Sequence, residues 1–261
     1  MSVDQSKLFV KRQNTGADAF LGGRLMLLQP RHGFRAGSDS VLLGASVPPA
    51  TRRLLDLGAG AGAAGLVAAL WAETAEVLLA ERDEEALALA HQNIERNGLA
   101  ARVRAVRADI AAAGVEREAA GLVPDSFDSV IANPPFFASE RGTLSPEANR
   151  ASARHAGPDA IEAWSRAAAA ATAPRGEAIF ILPARRLGEA LAAFGRRFGN
   201  IRILPVASRP GGAAGRVLVR GTKGSRAGLT LLSPLVMHGL SGNAYAPQAA
   251  DILMGRTNHD W

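Results

Sequence analysis

The stretch Leu54-Leu55-Asp56-Leu57-Gly58-Ala59-Gly60-Ala61-Gly62-Ala63-Ala64-Gly65 decides the fold. A short apolar run meets three glycines at alternate positions, and a small-residue segment follows. This reads as a buried strand, a sharp turn and a helix, with glycine where the backbone turns tightly or a ligand comes close. The alternation continues outward. Further strands are predicted at Val77–Ala80, Val103–Val106, Phe127–Ala132, Glu177–Leu182, Ile201–Val206, Arg216–Arg220 and Leu229–Val236. Helices are predicted at Ala61–Ala72, Asp83–Asn97, Pro158–Thr172 and Arg186–Phe198. Strands spaced by helices imply an α/β fold, a mostly parallel sheet with helices on both faces. No helix separates the last two strands, so at least one of them should run antiparallel to its neighbour. Upstream, residues 1–18 are polar and read as a loose arm. Phe20–Pro30 reads as a short hairpin around Gly22-Gly23, and Ser38 or Asp39 is placed to cap a helix through Val41, Leu42 and Leu43. The expected organisation is an N-terminal extension over 1–48 and one α/β domain over 49–261.

Two cofactors compete for the glycine loop. Gly60-x-Gly62-x-x-Gly65 matches a dinucleotide fingerprint. Asp56-x-Gly58-x-Gly60-x-Gly62 matches a loop that holds S-adenosylmethionine. Both want an acidic residue closing the next strand. Glu81 is placed to take the two ribose hydroxyls, with Arg82 beside it in the same site. Position within the turn separates the readings. The dinucleotide register leaves Gly58 and Ala59 between the strand and its first glycine. The other register begins at Asp56 in the strand end, where a carboxylate suits a cationic sulfonium ligand and would sit badly against a pyrophosphate. The methyl donor is the favoured reading.

Two later features fit it. Asp109 follows the third strand, where its carboxylate can accept from the adenine amino group with Ile110 against the ring; a helix cap is the alternative. Asn133-Pro134-Pro135-Phe136 ends the fourth strand, at the sheet edge where open α/β folds bind ligands. A planar exocyclic amine is a poor nucleophile because its lone pair is delocalised. The side-chain oxygen of Asn133, which also borders the cofactor, and the carbonyl oxygen of Pro134 can hold the two amine hydrogens and aim the lone pair at a methyl group. Pro135 stiffens the turn, and Phe136 offers a face on which an extruded base can stack. A rigid turn with core phenylalanines is the alternative.

Composition narrows the chemistry. The 261 residues contain no cysteine, which removes disulfides, cysteine-ligated metals and cysteine nucleophiles. Lys+Arg 30 against Asp+Glu 24 gives a net charge of +6. Only Lys7, Lys11 and Lys223 are lysines, so the charge is carried by arginine. A nucleic-acid partner and a biased codon usage both account for this. Lys7, Lys11, Arg12, Arg24, Arg31 and Arg35 gather near the N-terminus, and Arg141, Arg150, Arg154 and His155 follow the proline turn. Beside the proposed active mouth, these positions favour an RNA reading. No stretch approaches the ~18 apolar residues of a membrane span, and no spacing suggests a metal. A cytoplasmic monomer or homodimer is expected.

The order Asp56-x-Gly58-x-Gly60, Glu81, Asp109, Asn133-Pro134-Pro135-Phe136 resembles class I S-adenosylmethionine-dependent methyltransferases that act on planar amino groups. The block Gly33-Phe34-Arg35-Ala36-Gly37-Ser38-Asp39-Ser40-Val41-Leu42-Leu43, with Arg216-Val217-Leu218-Val219 and Tyr245-Ala246-Pro247, is similar to the bacterial valine-tRNA adenine-N6 methyltransferase family. The resemblance covers roughly residues 20–255. It implies a Rossmann-like, seven-stranded sheet whose last strand is antiparallel. It also implies that Phe34, Gly37 and Asp39 line the methionine end of the cofactor, and that the substrate is RNA, namely tRNA. Guanine N2 of ribosomal RNA and a protein glutamine amide are planar acceptors for the same tetrapeptide. A nicotinamide-dependent oxidoreductase leaves 133–136 unexplained, and a binding-only protein has no need of an intact tetrapeptide.

Overall fold

The structure, a computed structural model, describes residues 17–30, 35–135, 160–259 and 261. The chain starts with a hairpin, β1 (Ala17–Phe20) and β2 (Leu25–Leu28), joined by a tight turn over Leu21–Gly23. Ala17 and Asp18 are therefore paired strand residues rather than part of a loose arm; residues 1–16 lie outside the described residues. Helix α1 (Ser38–Ala45) follows. The alternating units are then β3 (Arg53–Leu57), α2 (Ala63–Trp71), β4 (Glu76–Glu81), α3 (Glu84–Arg96), β5 (Val103–Arg107), α4 (Gly114–Ala119) and β6 (Phe127–Ala132). After them come α5 (Ala160–Ala171), β7 (Thr172–Pro183), α6 (Leu187–Phe194), β8 (Phe198–Ala207), β9 (Ala214–Lys223), β10 (Thr230–Leu231), β11 (Leu235–Val236) and α7 (Pro247–Leu253).

The sheet order is β10-β8-β9-β7-β6-β3-β4-β5, with β11 also on β8. All neighbours are parallel except around β9, which lies antiparallel to both β7 and β8. The last long strand is thus antiparallel, as expected, and it inserts between its two predecessors. The sheet has nine strands rather than seven. The surplus is the predicted Leu229–Val236 strand, which Pro234 splits into two two-residue strands parallel to β8.

Alternate strand residues serve opposite faces. Leu54, Val77, Leu79, Ile131 and Ile179 pack under α1, α2, α3, α7 and the hairpin. Leu55, Leu57, Leu78, Val130, Phe180 and Val219 pack under α5 and α6. Two asparagines four residues apart, Asn93 in α3 and Asn97 at its C-cap, dock the hairpin. Asn93 Oδ1 accepts from Leu28 N at 2.7 Å and Asn97 Oδ1 from Met26 N at 2.9 Å. Asn93 Nδ2 also donates to the carbonyl of Ala61 at 2.9 Å, so one fully buried amide ties the hairpin to the glycine loop.

Several boundaries differ for local reasons. Helix α2 starts at Ala63 because Gly62 before it is left-handed, at φ 88°. The N-cap of α1 is Gly37, without a side-chain hydrogen bond, so neither Ser38 nor Asp39 is the cap. Strand β7 starts five residues early, at Thr172, and passes Pro174 through a register shift against β6. Helix α6 is shorter than predicted, since Phe198 already belongs to β8. Helices α4 and α7 were not legible: the first has no buried residue to set a period, and the second is seven residues long. The predicted polar segment Ser139–Gly157 lies outside the described residues.

Candidate functional site

The C-terminal ends of β3, β4, β5, β6 and β7 open into a cleft of about 1080 Å³. Five sequence features meet there. The glycine loop contributes Asp56, Gly58 and Gly60; β4 ends in Glu81 and leads to Arg82; β5 leads to Asp109 and Ile110; β6 leads to Asn133, Pro134 and Pro135; and α1 supplies Asp39. Phe34 and Phe136 lie outside the described residues.

The loop is held from below. The N–H groups of Gly58 and Ala59 both donate to the carbonyl of Ala80, at 2.8 and 3.0 Å. Gly58 has φ 65°, and a Cβ there would lie 2.3 Å from Cη2 of Trp164. That ring packs the cleft floor too closely to admit any side chain. Gly62 turns away: a Cβ on it would meet Leu79 at 2.9 Å, in the core, and it does not border the cleft. Gly65 donates to Asp56 Oδ2 at 2.8 Å and lets α2 press against Leu79. Of the glycines in the dinucleotide reading, only Gly60 faces the cleft.

Glu81 is the hub of the next turn. Its Oε2 accepts from Gly60 N, and its Oε1 accepts from Arg82 N and Asp83 N, all at 2.8 Å. Asp56 is 2% exposed. Burial pushes its carboxyl up to about 7; the Gly65 N–H pulls the other way, and the charge of Glu81 adds to the rise. Asp109 Oδ1 accepts from Ala111 N at 2.8 Å, so it does cap a turn, and it borders the cleft as well.

On the opposite wall, Asn133 is half-buried, Pro134 buried and Pro135 exposed. The Asp39 carboxylate accepts from Arg216 Nε at 2.8 Å. Gly37 borders a smaller adjoining cavity of about 330 Å³ with Arg35 and Tyr245. Gln29 and Ala36 line both spaces, and Gln29 Oε1 accepts from Ala36 N at 2.6 Å. Sequence reading missed Gln29, Trp164, Arg185 and Arg216. The tryptophan carried no signal beyond its place in an amphipathic helix, and the arginines were two among many.

The chemistry of this lining fits S-adenosylmethionine. A glycine-walled loop leaves room above Gly60, where nothing lies within 4 Å of a Cβ. Carboxylates of Asp39, Asp56, Glu81 and Asp109 border the same cleft, hydrogen-bond-accepting groups suited to hydroxyls, an adenine amine and a cationic methionine end. Among the described residues no three His, Asp or Glu side chains are grouped to hold a metal ion, and no helix is long and apolar enough to cross a membrane.

Known proteins agree. A crystal structure of a predicted O-methyltransferase from Agrobacterium tumefaciens superposes with a TM-score of 0.72 at 34% identity, covering 85% of this chain and 99% of that one. The fold and site define a Rossmann-like methyltransferase that takes its methyl group from S-adenosylmethionine. A family model described as "Methyltransferase small domain" matches residues 35–151. A tRNA1(Val) (adenine(37)-N6)-methyltransferase of Tolumonas auensis is 31% identical over 180 residues, 68% of this chain and 71% of the relative. One from Shewanella halifaxensis is 36% identical over 154 residues, 59% of each. The chain belongs to the S-adenosylmethionine-dependent methyltransferase family of these relatives.

Proposed function

We propose that the protein methylates the N6 amino group of an adenine in RNA, and that the RNA is a tRNA. The observation that carries this is the position of Asn133 and Pro134 at the end of β6, in the same cleft as Gly60, Glu81 and Asp109. The names of the two relatives support the same acceptor.

In this reading Glu81 and the Gly58–Gly60 turn hold the ribose end of the cofactor, with Arg82 beside them. Asp109 and Ile110 hold the adenine; Asp56 and Asp39, with Gly37 and Phe34 nearby in the chain, serve the methionine end. Gly62 acts through the shape of the loop. The cofactor, when bound, supplies a methyl group on a positively charged sulfur. Asn133 Oδ1 and the Pro134 carbonyl accept the two amine hydrogens and set the lone pair toward that methyl. Two consecutive prolines make this a preorganised pair of acceptors, which needs no rearrangement during transfer. Phe136, next in sequence, is assigned to stacking on the flipped base. Residues 1–48 are read as an extension built onto the 49–261 domain, acting in the cytoplasm.

The test is transfer from labelled S-adenosylmethionine to bulk tRNA from a strain lacking the protein, followed by digestion to nucleosides. N6-methyladenosine is expected. Label in N2-methylguanosine, in a ribose-methylated nucleoside or only in protein overturns the assignment. Asn133→Ala should lower turnover by about 10²–10³-fold, the cost of losing one oriented partner of the reacting group, with cofactor affinity nearly unchanged.

A further inference from the structure

Five arginines line the cleft: Arg82, Arg107, Arg117, Arg185 and Arg216. Most have visible work. Arg107 pairs with Glu84 at 3.0 Å. Arg117 Nη1 donates to the carbonyls of Ile110 and Ala112, both at 2.9 Å, on the Asp109 side. Arg216 is held by Asp39. Arg185 is different. It is exposed, borders the cleft and has no hydrogen-bond or ion-pair partner among the described residues. Its neighbour Arg186 is fixed to Glu189 through both Nε and Nη2, at 2.9 and 2.6 Å. Among the described residues, one of two adjacent guanidiniums is thus left without a partner.

The strand register puts Arg185 beyond the end of β7, on the same cleft wall as Asn133. Ala132 of β6 pairs with Phe180 of β7, so β7 runs on past the end of β6 to Pro183, alongside the 133–135 turn. Pro183 in turn pairs with Arg216 of β9. Arg185 lies two residues beyond that point, in the tight turn Ala184–Arg186. Two guanidiniums therefore flank the wall that carries Asn133, one tied to a carboxylate and one open.

We propose that Arg185 binds a backbone phosphate of the nucleotide whose base is presented to Asn133. This deepens the RNA reading above and rests on it. A base delivered to Asn133 brings its sugar and phosphate to the rim of the same wall, and an exposed, unpaired guanidinium meets phosphate oxygens in a bidentate fork. Among the described residues the cation makes no hydrogen bond or ion pair that would account for its position through the fold. Phosphate contacts fix register without reading sequence, and this one sets where along the strand the base enters.

The experiment is steady-state methylation of tRNA by the full-length enzyme over a range of salt concentrations. It compares wild type with Arg185→Ala, Arg185→Lys and a control, Arg52→Ala, at the opposite end of the sheet. Arg185→Ala should raise KM for tRNA about tenfold, leave KM for S-adenosylmethionine unchanged and flatten the log–log salt dependence by about 0.7–0.9, the share of one phosphate contact. Arg185→Lys should restore the salt slope and only part of the KM. Arg52→Ala should match wild type. The proposal is overturned if Arg185→Ala methylates tRNA with wild-type KM and salt slope, or if it raises the cofactor KM equally. If wild-type enzyme labels no RNA at all, the RNA reading itself fails, and this proposal with it.

Discussion

Arg216 in β9 donates from Nε to the carboxylate of Asp39 in the first turn of α1, at 2.8 Å, joining residues 177 positions apart. The pair ties the antiparallel strand to the helix that supplies Asp39 to the cleft. Both side chains are partly exposed, 45% and 30%, so the bond adds at most about 1 kcal/mol to stability. Its effect should appear in ligand binding. Asp39→Asn and Arg216→Ala are expected to weaken S-adenosylmethionine several-fold by calorimetry, with melting temperatures nearly unchanged. The double variant should be no weaker than the worse single one. Fully additive losses would show that the two residues act independently.

The glycine loop gives a contrast between neighbours. Gly58 and Gly60 both have positive φ, 65° and 57°. A methyl at 58 also collides with Trp164, whereas at 60 it enters open space. Gly60→Ala should cost about 1–2 kcal/mol for the left-handed backbone alone. Gly58→Ala should add a further ~1–3 kcal/mol of overpacking, and its cofactor binding should be lost. Denaturant melts of the two variants separate these outcomes. Equal destabilisation would mean that the Trp164 ring moves aside freely.

These two cases also mark what the sequence could reveal. The loop was legible because strand, turn and helix lie within a dozen residues, and their glycines report backbone shape directly. Glu81, Asp109 and Asn133 were legible for a related reason: each ends a parallel strand, and parallel strands deliver their ends to one edge. Trp164, Arg185 and Arg216 were not. Arg185 depends on β7 outrunning β6 and Arg216 on β9 inserting between β7 and β8, and strand order leaves no local trace; Trp164 is one of several buried residues on α5, and nothing in the helix singles it out. Asp39 reads as a cap from its local sequence and as a cofactor residue only through the family resemblance; its arginine partner, from the far end of the chain, leaves no local trace.

Asp56 should make the protein sensitive to pH. Burial raises its carboxyl from an ordinary 3.8 to about 7. Between those values the folded chain holds a proton that the unfolded chain has released. The stability linked to this group is therefore fully present at low pH and declines as pH rises through that window. A cationic ligand beside Asp56 favours the carboxylate, so binding expels the proton. Affinity for S-adenosylmethionine should rise with pH and level off above about 7. Asp56→Asn should flatten both trends. The measurements are thermal melts and calorimetric titrations of both proteins across the window; parallel pH profiles for the two would remove Asp56 as the cause.

Glu81 carries the last prediction. A carboxylate offers about four acceptor positions. Three are taken by the N–H groups of Gly60, Arg82 and Asp83, each at 2.8 Å. The side chain therefore builds the loop as well as facing the cleft, where one position remains for a hydroxyl. Glu81→Gln keeps the shape and turns one oxygen into a donor. If the remaining oxygen stays with Arg82 and Asp83, the Gly60 N–H loses its acceptor; if it turns to Gly60, the other two lose theirs. Either way at least one part-buried hydrogen bond is lost, at about 1 kcal/mol. Melting temperature should fall by a few degrees and cofactor affinity by about 10–100-fold. Asn133→Ala, by contrast, should lose turnover and keep affinity. A Glu81→Gln enzyme that binds S-adenosylmethionine as tightly as wild type would show that neither the loop nor the ribose depends on this carboxylate.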